Sequence, residues 1–571
     1  MMVNYLKKDI LSMREKSLQV LANILFYIIC FFSLYITESD YWIYCCVFLL
    51  LCMSISFHIV RNEKSIIQFV LLQMIQGIQI YCLYYQLNYF KIISTYGTLS
   101  IISENLLYIA VLLTFVCVFK KLCKIEIIFL IDSICFGLFM MCSLPVKSAP
   151  DEITHIYTSY NLSNKILHVD ASKGEAPIRE EDQALLLLPI EYGNSLEIMN
   201  GYYQLSLSES TDSMLIFDTS KCLSGNTPAY VMSALGISVG RIFNLNAFWT
   251  LTLGRLFNLI QYIGLVYFAI KVIPYSKYLP MAISLLPIAM QQGMSYSYDS
   301  LVIALSIFVI CGALGYKYNN QIDNQNKKIL GLSIVLCSTV LFFLKSNSYM
   351  FIALSPVFIA FSNSAYFKKI SKLVLRLIIL GIALFLLYTI ADMCFHFSPF
   401  LAEPSNPISW KDGAQGYTIQ YFLNEPLDLM KVYVNTFLRF LPFYIASSIS
   451  YDLGWVNIQP PVIFILVFSV LTYLSTESKE TNMLNQFERK YIIFSIVSTI
   501  FCILMAFAIS WTPKGEGAIL GGQGRYFIPL FIPAVLLISS KRDYFKNYRV
   551  YIPIMYSIAI MVFSVFLITR F

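Results

Sequence analysis

Fifteen apolar runs, each near the length that crosses a bilayer as a helix, set the terms on which this chain folds. A helix rises about 1.5 Å per residue, so about 20 apolar residues span about 30 Å of hydrocarbon. The runs lie near 18–37, 41–60, 65–86, 104–119, 125–146, 251–272, 279–295, 299–316, 329–345, 349–364, 373–392, 460–475, 490–511, 525–540 and 550–569. With 58% hydrophobic and only 13% charged residues, the 571-residue chain has too little polar surface to coat a water-soluble globule. A soluble enzyme is excluded, and the expected fold is an all-α integral membrane protein of about fifteen spans.

Basic residues give the orientation, because Lys and Arg near helix ends favour the cytoplasmic side. A cytoplasmic N-terminus places 25 of the 40 Lys and Arg inside, and most of the 33 acids then fall outside. The net charge of +7 is the difference between these two faces, so it is no sign of nucleic-acid binding. Parity holds only if Ala229–Phe243 is not a span. It is short and carries Arg241, and reads as an amphipathic helix on the outer interface. Val432–Ser450, with Arg439 inside it, reads the same way or as re-entrant. The first apolar run is full length without a small-residue cleavage site, which marks a retained anchor. The fourteen cysteines lie mostly within spans, without a CxxC pair, and serve as small apolar packing residues.

The chain thus divides into an N-terminal four-helix membrane module, 1–124, and a core, 125–571, with long extracytoplasmic loops at 147–250 and 393–459. At the start of the first loop stands Pro150-Asp151-Glu152-Ile153-Thr154-His155. A helix beginning at Asp151 puts Asp151, Glu152 and His155 within one turn, at the membrane surface. Such a cluster suits a general base acting on a hydroxyl. With one His and two acids it is also a weak candidate for a divalent cation, the only cofactor the sequence suggests. Acids in a first helical turn are equally expected from the helix dipole alone. The run Glu180-Glu181-Asp182 reads as a solvated loop.

The second candidate is Gly521-Gly522-Gln523-Gly524-Arg525-Tyr526-Phe527, at the outer start of the penultimate run. Glycines admit close backbone approach to a ligand, and an arginine fork grips phosphate. A flexible turn with an interfacial Arg/Tyr anchor is the simpler alternative. Arg255, Lys345 and Lys514 are further bases at outer helix ends, and Asp299 is an isolated acid near them. Asp132 lies within a span, where pairing with a neighbouring helix is the simplest account.

In this order, five segments resemble DUF2142, a family of bacterial multi-pass membrane proteins of unknown function related to the GT-C superfamily of glycosyltransferases. They are Pro150-Asp151-Glu152 with His155, Arg255-Leu256-Phe257-Asn258, Asp299 after its Ser/Tyr stretch, Leu453-Gly454-Trp455 before a proline pair, and Gln523-Gly524-Arg525-Tyr526-Phe527 with Pro529. The resemblance covers roughly 125–571. Ile153 departs from the proline, and Asn457 from the acid, often found at those places.

The resemblance implies a GT-C-like helical bundle whose large first extracytoplasmic loop bears an interfacial helix. It implies transfer of a sugar from a polyprenyl-phosphate carrier to a cell-surface glycan or polymer, at the outer face of the bacterial cytoplasmic membrane. Asp151 would be the base, with Glu152 next and His155 beside them. Arg525 would hold the lipid phosphate, supported by Gln523, Tyr526, Arg255, Lys345 and Asp299. A transporter, flippase or polymerase of lipid-linked saccharides is the alternative. The extra helices of 1–124 would serve as a partner-binding or lipid-facing module.

Overall fold

The computed structural model describes residues 66–90, 94–170, 174–189, 195–365 apart from 212 and 224, a few positions between 369 and 387, and 403–476, 484–538 and 549–570. After a helix at Ile66–Tyr89 come α1 (Thr95–Phe119) and α2 (Ile125–Ser143). A polar stretch then holds α3 (Glu152–Ile166), a two-stranded antiparallel sheet of β1 (Glu175–Arg179) and β2 (Met214–Asp218), and α4 (Val231–Ile242). The core continues through α5 (Ala247–Val272), α6 (Tyr278–Ser284), α7 (Pro287–Met294), α8 (Asp299–Tyr318) and α9 (Asn324–Phe343). Beyond residue 403 lie α10 (Pro426–Ile449), α11 (Gln486–Ser510) and α12 (Ile552–Ile568).

Among the described residues, seven helices are long and apolar enough to cross a membrane. They are α1, α2, α5, α8, α9 continued to Asn347, α11, and α12 counted from Arg549. The fifteen expected spans are met in part. Runs 18–37 and 41–60, and most of 373–392, lie outside the described residues. Runs 349–364, 460–475 and 525–540 correspond to shorter apolar helices, Met350–Ala360, Ile463–Leu474 and Gly524–Ile538.

Run 279–295 is not one continuous helix. Pro287 opens α7, and Leu286 before it is extended at ψ 137°, so the run divides into α6 and α7. A proline lacks the N–H that would continue the preceding helix and biases the residue before it away from helical geometry. Apart from Tyr278, both pieces are buried along their whole length, so their apolar character faces protein.

At the centre stands α8, buried at every position from Asp299 to Gly315. By contrast, α9 buries only Leu330, Ile334 and Leu341. The buried Asp132 accepts hydrogen bonds from Thr114 Oγ1 and Ser557 Oγ, both at 2.9 Å, and so ties α2 to α1 and α12. Leaving such a carboxylate unpaired in an apolar bundle would cost several kcal/mol.

Twelve residues of α4 rise about 18 Å, too little to cross hydrocarbon. Its small residues sit between α3 and α5. Ser233 and Ser238 meet Ser159 and Ser163 of α3 at 2.8 and 2.9 Å, and a Cβ on Gly236 would lie 2.4 Å from the Leu253 carbonyl oxygen of α5. The long α10 contains Pro442 and turns Met430, Val434, Leu438, Leu441 and Ile445 outward.

The acidic run beginning at Glu180 is not a solvated loop at its end. Asp182 is fully buried, receives Arg179 Nε at 2.8 Å and Nη2 at 3.0 Å, and accepts from Tyr160 OH at 2.8 Å. The same guanidinium donates to the Leu245 carbonyl and Thr250 Oγ1, anchoring the small sheet between α3 and α5. Arg179 ends β1 and Asp182 lies three residues on, in the first turn of the helix Glu180–Leu187, a pairing that the run of three acids alone does not reveal.

Candidate functional site

Asp151 caps α3 with a left-handed backbone, φ 59°, and its carboxylate makes no cap hydrogen bond. That conformation is uncommon for a residue other than glycine, though aspartate tolerates it better than most. The consequence is a split between neighbours. Asp151 keeps its side chain 65% exposed, whereas Glu152 beside it is entirely buried.

Glu152 is saturated. Oε1 accepts from Arg255 Nε at 2.8 Å and the Tyr296 amide at 3.1 Å. Oε2 accepts from Arg255 Nη2 at 2.5 Å and from the amides of Lys147 and Ala149 at 2.9 and 3.3 Å. Arg255 is equally committed, donating also to the carbonyls of Leu144 and Pro145. A carboxylate with five donors has no lone pair left for a substrate hydroxyl. Glu152 and Arg255 are therefore positioning residues that fix the turn carrying Asp151 to α5 and to the start of α8.

A second charged group surrounds Arg525. Its Nη2 lies 3.8 Å from Asp151 Oδ2 and donates to Tyr526 OH at 3.0 Å, and its Nε lies 3.4 Å from Asp299 Oδ2. Asp299 also accepts from Lys345 Nζ at 2.8 Å, and that ammonium sits 3.4 Å above the centre of the Tyr526 ring. Lys345 reaches this place because Lys345, Ser346 and Asn347 all take left-handed backbones, φ 50°, 52° and 62°, which end α9 and turn the side chain inward. Asp151, Asp299, Lys345, Arg525 and Tyr526 thus converge from distant parts of the chain.

His155 stands at the edge of this group. Its Nδ1 is 2.8 Å from Tyr230 OH, and its ring meets Tyr298 edge-on at 5.0 Å. Burial pushes its pKa down to about 3, against the pull of the Asp299 carboxylate and with the help of Arg525 and Lys345. With His155 on Tyr230 and Glu152 on Arg255, the three candidate metal ligands Asp151, Glu152 and His155 face different partners. Among the described residues no three His, Cys, Asp or Glu side chains converge as a cation site.

The glycine turn serves packing. A Cβ on Gly524 would lie 2.2 Å from the Ser448 amide nitrogen, and the Gly524 amide donates to Ser447 Oγ at 3.0 Å. Gly524 thus lets the turn press onto α10, which sets the height at which Arg525 leaves the chain. Arg525 is 5% exposed; its Nη1 has no hydrogen-bond partner, and its Nε has only the Asp299 carboxylate at 3.4 Å. Buried donors are nearly always paired, so an arginine left this way calls for an acceptor.

Arg525 and Gln523 line a cleft with Gln292 of α7 and Asp452. Asp452 has a left-handed backbone, φ 58°, and accepts from Gln459 Nε2 at 3.1 Å through Oδ1. Its Oδ2 and the Oε1 of Gln292 are buried without a partner. Burial lifts the Asp452 pKa above the ordinary carboxylate value, opposed by the Gln459 bond. Gln291 fastens this loop to α7, accepting from the Gly454 amide at 2.9 Å and donating to its carbonyl at 3.1 Å. Gln292 and Asp452 carry no sequence motif. The pair of glutamines within an apolar run was their one signal, since amides are costly where no partner waits.

The model of DUF2142, a family of predicted membrane proteins, matches residues 134–535. The chain belongs to the DUF2142 family. That DUF2142 region contains the whole site, from Asp151 through Asp299 and Lys345 to Asp452 and Arg525, and it ends before α12. No curated protein and no solved structure matches the chain.

Proposed function

We propose that this protein is a membrane glycosyltransferase of GT-C type, moving a sugar from a polyprenyl-phosphate carrier to a cell-surface glycan or polymer. The reading rests on one observation: a buried arginine with an unpaired donor, Nη1 of Arg525, beside an exposed carboxylate, Asp151, at 3.8 Å. An arginine of this kind suits a phosphate, whose oxygens accept charge-assisted hydrogen bonds. An exposed carboxylate suits an acceptor hydroxyl.

In the proposed reaction Asp151 takes the proton of the acceptor hydroxyl while its oxygen bonds to the anomeric carbon. The bond from that carbon to the phosphate oxygen breaks, and its electron pair stays on the lipid phosphate beside Arg525. Asp299, itself paired with Lys345, holds the guanidinium in place. The charge distribution supports an extracytoplasmic site, where lipid-linked sugars rather than nucleotide sugars are at hand.

The test is release of polyprenyl phosphate from synthetic polyprenyl-phosphate hexoses by the full chain in proteoliposomes, with cell-envelope glycan as acceptor. Wild-type protein releases the lipid and Asp151→Asn, folded, does not. Full release by Asp151→Asn would overturn the assignment, and absence of release by wild type over a panel of hexoses would overturn the activity.

A further inference from the structure

We propose that Trp410 and Trp511 form a platform on which a neutral glycan strand lies while its terminal hydroxyl reaches Asp151. The acceptor of the proposed transfer is then a neutral glycan and not a polyanion. The proposal deepens the proposed function and rests on it. The two indole rings stack with centroids 5.7 Å apart and planes at 28°, yet Trp410 is 44% and Trp511 42% exposed. Such an offset arrangement leaves part of both faces open. Tryptophan is mostly buried in proteins, so two exposed neighbours call for a partner.

The pair is firmly held. Trp410 Nε1 donates to the Trp511 carbonyl at 2.9 Å. The segment carrying Trp410 is fastened to the end of α11 and the chain beyond it. Asn406 Nδ2 donates to the Ile509 carbonyl at 2.8 Å, the Lys514 amide to the Gln415 carbonyl at 2.7 Å, and Tyr417 OH to the Glu516 carbonyl at 2.8 Å. The platform is also continuous with the candidate site. A Cβ on Gly521, whose φ is 81°, would lie 2.5 Å from Trp511 Cδ1, so the turn leading to Arg525 rests on that ring. Arg525 follows four residues later, which keeps its backbone within about 14 Å of Gly521.

The surroundings decide between lipid and sugar. A tryptophan of the membrane interface has apolar neighbours on its lipid side. The loops that carry this pair also carry Lys411, 3.5 Å from Glu516, Lys514, 2.8 Å from Glu403, and the exposed Asp412. Charged groups are costly in hydrocarbon and ordinary in water. A pyranose matches both parts of the surface. Its C–H face is apolar and lies flat on an indole, while its hydroxyls exchange hydrogen bonds with carboxylates and ammoniums at the rim. A polyanion is matched less well, because both lysines already face glutamates and Asp412 adds a further acid.

The experiment titrates the full chain in nanodiscs with soluble oligomers of glucose, mannose and N-acetylglucosamine, with their monosaccharides and with a polyol-phosphate polymer. Binding is followed by tryptophan emission and calorimetry, and transfer is measured over a range of acceptor concentration. At least one oligomer is expected to bind, more tightly than its monosaccharide and than the polyol phosphate. Trp410→Ala weakens that binding, and raises the acceptor concentration for half-maximal transfer, by about 10-fold. The saturated rate and polyprenyl phosphate binding stay as in wild type. Trp410→Leu, which keeps apolar bulk without a flat ring, behaves as Trp410→Ala, and Trp410→Phe restores most of both readouts.

The platform is overturned if no oligomer binds, if Trp410→Ala and Trp410→Leu leave both readouts unchanged, or if the polyol phosphate binds as tightly as the oligomers. Quenching by brominated phospholipid of the emission that Trp410→Phe removes also overturns it, since the pair then faces lipid. Asp151-dependent transfer that ignores Trp410 leaves the transferase reading standing and removes the platform. Trp410-dependent oligomer binding without transfer keeps the glycan surface and overturns the transferase reading.

Discussion

Asp151 Oδ2 lies 3.8 Å from Arg525 Nη2, although the two residues stand near opposite ends of the matched family region. For the proposed transfer this pairing puts proton removal and phosphate stabilisation at one point. Asp151→Asn is expected to lower the transfer rate by about 10²–10⁴-fold, the usual range for a general base. Arg525→Lys keeps the charge and loses the planar fork, so lipid-phosphate binding should weaken about 10-fold or more, read from the concentration dependence of transfer.

Breaking the Glu152–Arg255 pair strands a buried guanidinium. Glu152→Gln should destabilise the protein by about 3–5 kcal/mol, seen as a lowered unfolding midpoint in detergent. The double variant Glu152→Gln/Arg255→Gln should lose less than the sum of the single changes, because each removes the other's unpaired charge. An additive loss would show that the two side chains do not act as a pair.

Gly524→Ala places a methyl against the backbone of Ser447 and Ser448 on α10. The turn must lift, and Arg525 moves with it. Polyprenyl phosphate binding should fall by about 10-fold or more. Unchanged binding would mean that the turn has room that its contacts deny.

His155 makes stability depend on pH. Its folded pKa of about 3 lies below the unfolded value of about 6.5, so the unfolded chain takes up the proton first. The contribution is full above about pH 6.5 and is lost as pH falls toward 3. The unfolding midpoint should drop on acidification from pH 7 to pH 5, and His155→Asn should flatten that drop. An identical pH slope in the variant would remove His155 as its source.

Hydropathy located the spanning helices because an apolar run of 20 residues has few other uses. It did not reveal that run 279–295 breaks into α6 and α7, a break that only Pro287 marks. The charged candidates Asp151, Asp299, Lys345 and Arg525 were legible, because ionisable groups at the ends of apolar runs stand out. That Asp151 is exposed while Glu152 is saturated was not. The decision depends on Lys147, Ala149, Arg255 and Tyr296, whose positions relative to one another exist only in the folded chain. Asp452 stayed hidden for a similar reason: a single acid in a polar loop looks solvated until α7 and α10 close over it.

The five bonds to Glu152 also bear on the residue before it. With the amides of Lys147 and Ala149 tied to that carboxylate, the turn from Pro145 to Asp151 has little freedom left, and the left-handed backbone of Asp151 cannot relax when a ligand arrives. In the proposed reaction, the entropy of ordering the base is therefore lost once, when the chain folds, and not again at each turnover.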